Sequence, residues 1–242
     1  MRIGVVSDIH SNLEALSTVI GAMGPVDQLW CLGDIVGYGP EPNECIAVLA
    51  GTRHLAVAGN HDRAAIGQLD LEEFNPYAAA AARWTMGRLN AASSAYLSSL
   101  PTTLMSGEFT LAHGSPRDPL WEYVLSADVA RRSFDHFEGP YCLVGHTHVP
   151  SVFTLEGGRV RAERIVGERE LALDRPEARF ILNPGSVGQP RDGEPRAAFL
   201  VIDTERRSAS WRRVAYSVER TQDRMRRVGL PRRLVERLTH GL

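Results

Sequence analysis

Residues 1–10 read MRIGVVSDIH, an apolar run from Ile3 to Ser7 that stops at a carboxylate, Asp8, and then at an imidazole, His10. Consecutive Val and Ile suit a buried strand, and the polar residues that end such a run stand in the loop after it. The transition recurs down the chain. Gln28 to Leu32 leads into Gly33-Asp34, and His54 to Ala58 into Gly59-Asn60-His61-Asp62. Phe109 to Ala112 leads into His113-Gly114, and Tyr141 to Val144 into Gly145-His146-Thr147-His148.

Between these strands lie helical patterns. Leu13, Leu16 and Ile20 share one helical face, and Cys45 to Leu49 form another short helix. Asn75 is placed to cap a long helical segment over Pro76 to Leu100, with Pro76 in its first turn and the helix-favouring run Ala78 to Ala82 inside it; Ser126 with Asp128 opens another. Strands alternating with helices predict an α/β layered fold whose loops after the strands form the crevice.

Beyond Pro150 the pattern becomes a hairpin, Ser151 to Leu155 and Arg159 to Ile165 joined by Gly157-Gly158, then strands near Phe180 to Leu182 and Ala198 to Ile202. This half is expected to supply a second sheet. From 206 to 242 the sequence predicts an edge strand around Trp211 to Tyr216 and two short helices separated by Gly229, the last striped by Leu230, Leu234, Val235 and Leu238. The domain proper is therefore assigned to 1–205 and the tail to an appendage packed on it. The Pro- and Gly-rich stretch from Asn183 to Pro195 reads as the only linker-like punctuation.

Composition narrows the function. A net charge of −2 gives no overall attraction to nucleic acid or anionic membrane, so neither is expected as a partner. Three cysteines, Cys31, Cys45 and Cys142, form no C-x-x-C pair, and no leader or membrane-spanning pattern is present, which predicts a reduced, cytoplasmic setting. The tail carries nine arginines from Arg212 to Arg237 against Glu219, Asp223 and Glu236, yet no aromatic residue is interleaved in its last two helices. A solvated helical face is the expectation there.

The five polar clusters bring together carboxylate oxygen, amide oxygen and imidazole nitrogen. Such a mixed set favours transition metals, whereas oxygen alone would suit Mg²⁺ or Ca²⁺. In extended chain, Asp-x-His and His-x-His would each send two side chains to one face and so converge on one cluster. Gly33, Gly59, Gly114 and Gly145 beside the ligands permit tight turns and close approach of an anion.

Complete and in this order, the blocks D-x-H, G-D, G-N-H-D, H and G-H-x-H resemble the calcineurin-like metallophosphoesterase superfamily over residues 1 to about 205. Gly37-Tyr38-Gly39-Pro40 and the stretch Asn183 to Gly193 narrow the resemblance to its small bacterial phosphodiesterases, which include relatives acting on diadenosine polyphosphates. The resemblance implies a four-layer α/β/β/α sandwich of two packed mixed sheets flanked by helices. It also implies two divalent transition-metal ions, manganese foremost with iron, zinc or nickel as alternatives. One ion would take Asp8, His10 and His148, the other Asn60, His113 and His146, with Asp34 bridging; a hydroxide shared by the metals would attack phosphorus. His61 would be the general acid, with Asp62 a candidate to orient its ring. Arg191, Asn183 and Ser186 are expected near the substrate phosphate or behind the ligands, and Tyr38 and Trp121 are possible stacking surfaces.

The activity so implied is hydrolysis of phosphodiester or phosphoanhydride bonds in small nucleotide-type substrates. A phosphomonoesterase or protein phosphatase is the alternative enzyme, and a non-catalytic scaffold, as in the retromer coat subunit, the alternative class. Taken singly, Asp8 and Asp34 could cap helices and Asn60 could sit in a turn; only together do they make a metal site.

Overall fold

The computed structural model describes residues 1–242. The strands are β1 (Arg2–Val6), β2 (Gln28–Cys31), β3 (His54–Ala56), β4 (Thr103–Ser106), β5 (Phe109–Ala112), β6 (Tyr141–Leu143), β7 (Ser151–Glu156), β8 (Arg159–Arg164), β9 (Arg169–Ala172), β10 (Arg179–Asn183), β11 (Ala197–Asp203) and β12 (Ser208–Val214). The helices are α1 (Leu13–Met23), α2 (Pro42–Ala50), α3 (Asn60–Ala65), α4 (Pro76–Met86), α5 (Ala91–Ser99), α6 (Ala127–Ser133), α7 (Val218–Arg227) and α8 (Arg232–Glu236).

Two six-stranded mixed sheets result, ordered β3-β2-β1-β11-β12-β9 and β4-β5-β6-β10-β7-β8. Period-two alternation explains how they stack. Along β1, Ile3 and Val5 point into the core between the sheets, where they meet Trp30, Leu111, Leu143, Phe180 and Trp211. Val6 points the other way and packs with Leu16 and Val19 of α1 and Leu49 of α2. On the second sheet, Cys142 and Ile181 face outward to Phe134 and Phe137 beside α6. The layers are thus helix, sheet, sheet, helix, as the resemblance implied.

In the first sheet β1, β2 and β3 run parallel, and in the second β5, β6 and β10 do. Parallel strands discharge their loops at the same end, and all five polar clusters leave from there.

Four expectations change. Pro76 to Leu100 is two helices, broken at Gly87, because Asn90 caps a fresh start by accepting from the Ser93 amide at 2.8 Å. Gly59 to Asp62 is the entry to helix α3, where the Asp62 carboxylate accepts the Gly59 amide at 2.9 Å. The strand at Trp211 is interior, since β9 adds beyond it and takes the edge. The stretch from Asn183 is no exposed linker: residues 183–190 are buried where the chain crosses from β10 in one sheet to β11 in the other. No helix is long and apolar enough to cross a membrane.

Candidate active site

Asp8 and His10 follow β1, Asp34 follows β2, Asn60 and His61 open α3 after β3, His113 follows β5, and His146 and His148 follow β6. All eight side chains are buried. Two groups of donor atoms emerge, each close-set enough to hold a metal ion: Asp8, His10, Asp34 and His148, and Asp34, His113 and His146. Asp34 belongs to both. Its Oδ2 lies 3.6 Å from His10 Nε2 and 3.4 Å from His113 Nε2. His148 Nε2 is 3.1 Å from Asp8 Oδ1, and His113 Nε2 is 3.0 Å from His146 Nδ1.

The convergence has a different origin from the alternation expected of extended chain. Asp8, His10, Asp34, His146 and His148 all have left-handed backbones, with φ between 49° and 62°. Only three other non-glycine residues share that conformation, and two of them, Ser11 and Tyr38, adjoin the same loops. Strain of this kind costs of order 1–3 kcal/mol per residue and persists where surrounding bonds over-determine it. Those bonds are present: the Asp8 amide donates to Gly33 O at 3.0 Å and the His10 amide to Asp34 O at 2.9 Å. The His146 amide donates to Asp8 Oδ2 at 3.1 Å, tying the two sheets together.

Backbone carbonyls set the histidine tautomers. His10 Nδ1 lies 3.1 Å from Val36 O, His113 Nδ1 2.8 Å from Leu32 O, and His148 Nδ1 faces Gln189 O. A carbonyl can only accept, so each Nδ1 carries a proton, and once a ring is neutral its Nε2 lone pair turns to the cluster. Asp8 Oδ1 and Asn60 Oδ1 are buried with no hydrogen-bond donor. Buried oxygens without donors are costly, and a cation is the partner that suits them. The donor set therefore fits divalent metals.

Charge is balanced within the cluster. Burial opposes ionisation of Asp34, but the neighbouring His113 and His61 outweigh it and hold the carboxyl well below the usual range. Burial likewise pulls His113 down, yet Asp34 overcomes it and raises the imidazole to about 9. His146, with a like-charged neighbour in His113, is pushed by burial to about 3, and His61 falls to about 4 for the same first reason.

His61 lines a narrow cleft of about 90 Å³ with Asp34, Asn60, His146, His148 and Arg191. Its backbone amide donates to Asp34 Oδ1 at 2.9 Å, and its ring packs between Tyr38 and Phe74, centroids 4.4 and 5.2 Å away. Asp62 does not orient that ring. Its two oxygens accept from the Val36 and Gly59 amides, so it pins the loops that carry Asp34 and Asn60. Burial, reinforced by Asp34, raises its carboxyl to about 7.

Of the expected phosphate contacts, only Arg191 reaches the cleft, over the Tyr38 ring at 5.8 Å. Asn183 and Ser186 are fully buried behind the ligands. Asn183 donates to Gly145 O at 2.7 Å and Thr147 Oγ1 at 3.0 Å, and Ser186 donates to Asp8 O at 2.8 Å. They position the loops and present nothing to a substrate. Tyr38 and Trp121 do line the cleft, joined by Glu73, Phe74 and Tyr123, which sequence reasoning missed. Tyr123 stacks on His146 at 3.9 Å. It sits in a loop of no periodicity, and nothing in its neighbours marks it.

Comparison with known proteins agrees with this geometry. The family model for the calcineurin-like phosphoesterase superfamily domain matches residues 1–207. An uncharacterized protein of Methanocaldococcus jannaschii is 36% identical over 246 residues, covering 99% of this chain and 98% of its own. The crystal structure of a metallophosphoesterase from Sphaerobacter thermophilus is similar at 44% identity and TM-score 0.91, covering 100% of this chain and 99% of that one. A hypothetical protein from Pyrococcus horikoshii shares the fold at TM-score 0.82 and 20% identity, with 100% and 98% covered.

Proposed function

The chain belongs to the calcineurin-like phosphoesterase superfamily, and from that premise we propose that it is a dinuclear metal-dependent phosphodiesterase acting on small nucleotide-type phosphodiesters or phosphoanhydrides. The observation that carries this reading is Asp34, one buried carboxylate shared by two groups of metal-donor atoms. Asp8, His10 and His148 would hold one ion and Asn60, His113 and His146 the other. Two divalent ions, manganese foremost, would supply activation of the attacking water and neutralisation of charge on the phosphoryl oxygens.

The remaining work falls to side chains of the cleft. Arg191 offers a guanidinium to phosphoryl oxygens that the ions do not reach. His61 Nδ1 is buried without a partner, which leaves Nε2 as the ring nitrogen available to a leaving oxygen. With an anionic phosphoryl group beside it to offset the burial that lowers its pKa, the protonated ring would deliver a proton from there and help expel a poor leaving group, an effect worth about 10²–10⁴-fold. Phe74 and Tyr38 keep the ring in place and exclude water from its flanks.

The test is cleavage of bis(p-nitrophenyl) phosphate by the purified chain with and without Mn²⁺, together with metal analysis. Metal-stimulated turnover, abolished by EDTA, is expected. His61→Ala should lose far more activity on an alkyl ester than on a nitrophenyl ester. A chain with no bound transition metal and no Mn²⁺-stimulated cleavage would belong instead to the scaffolds of this fold.

A further inference from the structure

The arginine-rich C-terminal helices border the cleft. Met225 of α7, with Leu230, Leu234, Val235 and Leu238 in and around α8, packs against Tyr38, Ala78 and Ala81. That seating leaves Arg233 and Arg237 on the wall of an open groove of about 980 Å³. Arg191, Tyr38, Tyr123 and Asn75 line both this groove and the narrow cleft over His61, so the two form one continuous recess.

The groove is cationic, with arginines outnumbering the acidic side chains on its wall. Arg226 is paired with Asp223, and the one acid on the wall, Glu236, is engaged by Arg232. Arg191 and Arg233 make no ion pair: Arg191 donates to Gln189 and Arg233 lies 5.2 Å from the Tyr77 ring centre, while Arg237 turns its Nε to Leu242 O. Burial first, and then the like charge of Arg191, pull Arg237 down to about 10. Clustered guanidinium groups, two of them without an anionic partner, match a polyphosphate, which they bind through paired N–H donors. The aromatic surfaces absent from the tail come from elsewhere in the chain: Tyr77 and Tyr123, 42% and 44% exposed, stand on the same groove. Exposed rings beside guanidinium groups suit a nucleobase.

We propose that this groove is a second, phosphate-binding subsite, and that the substrate is a nucleoside oligophosphate spanning both parts of the recess. The scissile phosphoryl group sits over Asn60 and His61, a further phosphate meets Arg233 and Arg237, and the base lies against Tyr77. This rests on the phosphodiesterase reading for the inner site alone.

Isothermal titration of the full chain as purified, with orthophosphate, tripolyphosphate and adenosine 5′-tetraphosphate, tests it. Tripolyphosphate should bind about tenfold or more tighter than orthophosphate, and the nucleotide about fivefold tighter again. Arg233→Gln, at an exposed position the fold does not need, should shrink the first ratio, the double variant with Arg237→Gln should bring it below about threefold, and Tyr77→Ala should erase the second. Equal affinity for orthophosphate and tripolyphosphate, or a ratio unchanged in the double variant, would overturn the subsite. An oligonucleotide binding as tightly as the nucleotide, with steep salt dependence, would overturn the small-molecule class. If bis(p-nitrophenyl) phosphate is cleaved and the tripolyphosphate ratio is absent, only the subsite fails; if the ratio is present without cleavage, only the phosphodiesterase reading fails.

Discussion

Gly59→Ala isolates the contribution of Asp34. Gly59 has φ −94° and ψ 175°, an extended conformation that alanine adopts freely, so the backbone itself does not resist the change. The added methyl does. It would lie 2.0 Å from Asp34 Oδ1, 2.4 Å from the Asp34 amide nitrogen and 2.8 Å from Cγ, where real contacts stay beyond 3.0 Å. The carboxylate must therefore retreat by about 1 Å, whereas metal–ligand distances tolerate only about ±0.2 Å. Because Oδ2 of that carboxylate faces both His10 and His113, one methyl should disturb both metal groups. We expect kcat/KM on an activated diester to fall by about 10²-fold or more, bound metal to drop below that of the parent, and stability to fall by about 1–3 kcal/mol. Metal content by mass spectrometry, initial rates at saturating Mn²⁺ and urea denaturation read the three effects. Gly21→Ala is the control, since its methyl meets nothing within 4 Å on the surface of α1. Retention of metal content and of turnover within threefold in a folded Gly59→Ala protein would refute the shared-carboxylate reasoning.

Two further outcomes are expected. His113 holds its proton up to about 9, and that proton must leave before Nε2 can accept a metal. Apparent metal affinity should accordingly rise by up to about tenfold per pH unit from pH 6.5 toward 9 and then level, as read by competition with a chelating dye at constant ionic strength. Conversely, the raised value stabilises the metal-free fold fully below about pH 6.5, and that contribution is lost as pH climbs through 9; a pH-independent affinity would contradict both statements. Separately, Arg213 and Asp192 form an ion pair whose side chains are 1% and 4% exposed, bridging β12 to the loop that leads from β10 to β11. Asp192→Ala strands a buried guanidinium and should cost about 3–5 kcal/mol in urea denaturation, whereas replacing both partners by apolar residues should cost much less.

The five strands that carry ligands were legible because each combines a short, mostly apolar run with an abrupt polar stop, and neither feature depends on distant contacts. What sequence misread shares one cause, which is that the decisive partner lies far along the chain. Trp211 reads as an edge position until β9, some 40 residues earlier, pairs beyond β12. The stretch from Asn183 reads as a linker because glycine and proline punctuate it. Its burial follows from Val187 and Gly188 donating to Ser7 O and Asp8 O at 3.0 and 2.9 Å, bonds to the opposite end of the chain.

The Asp-x-His and His-x-His spacings illustrate a subtler limit. Alternation on an extended segment predicts that each pair meets one cluster, yet on left-handed backbones Asp8 and His10 share one donor group while His146 and His148 fall in different ones. Spacing alone thus locates ligands without assigning them. The same holds for the arginine tail. Helical periodicity reads an apolar stripe and an outer face of arginines in the last two helices, yet the aromatic rings that the proposed subsite needs come from residues 38, 77 and 123. A solvated face and an anion subsite have the same local sequence. What separates them is the surface placed opposite, and here that surface opens onto His61 and Arg191.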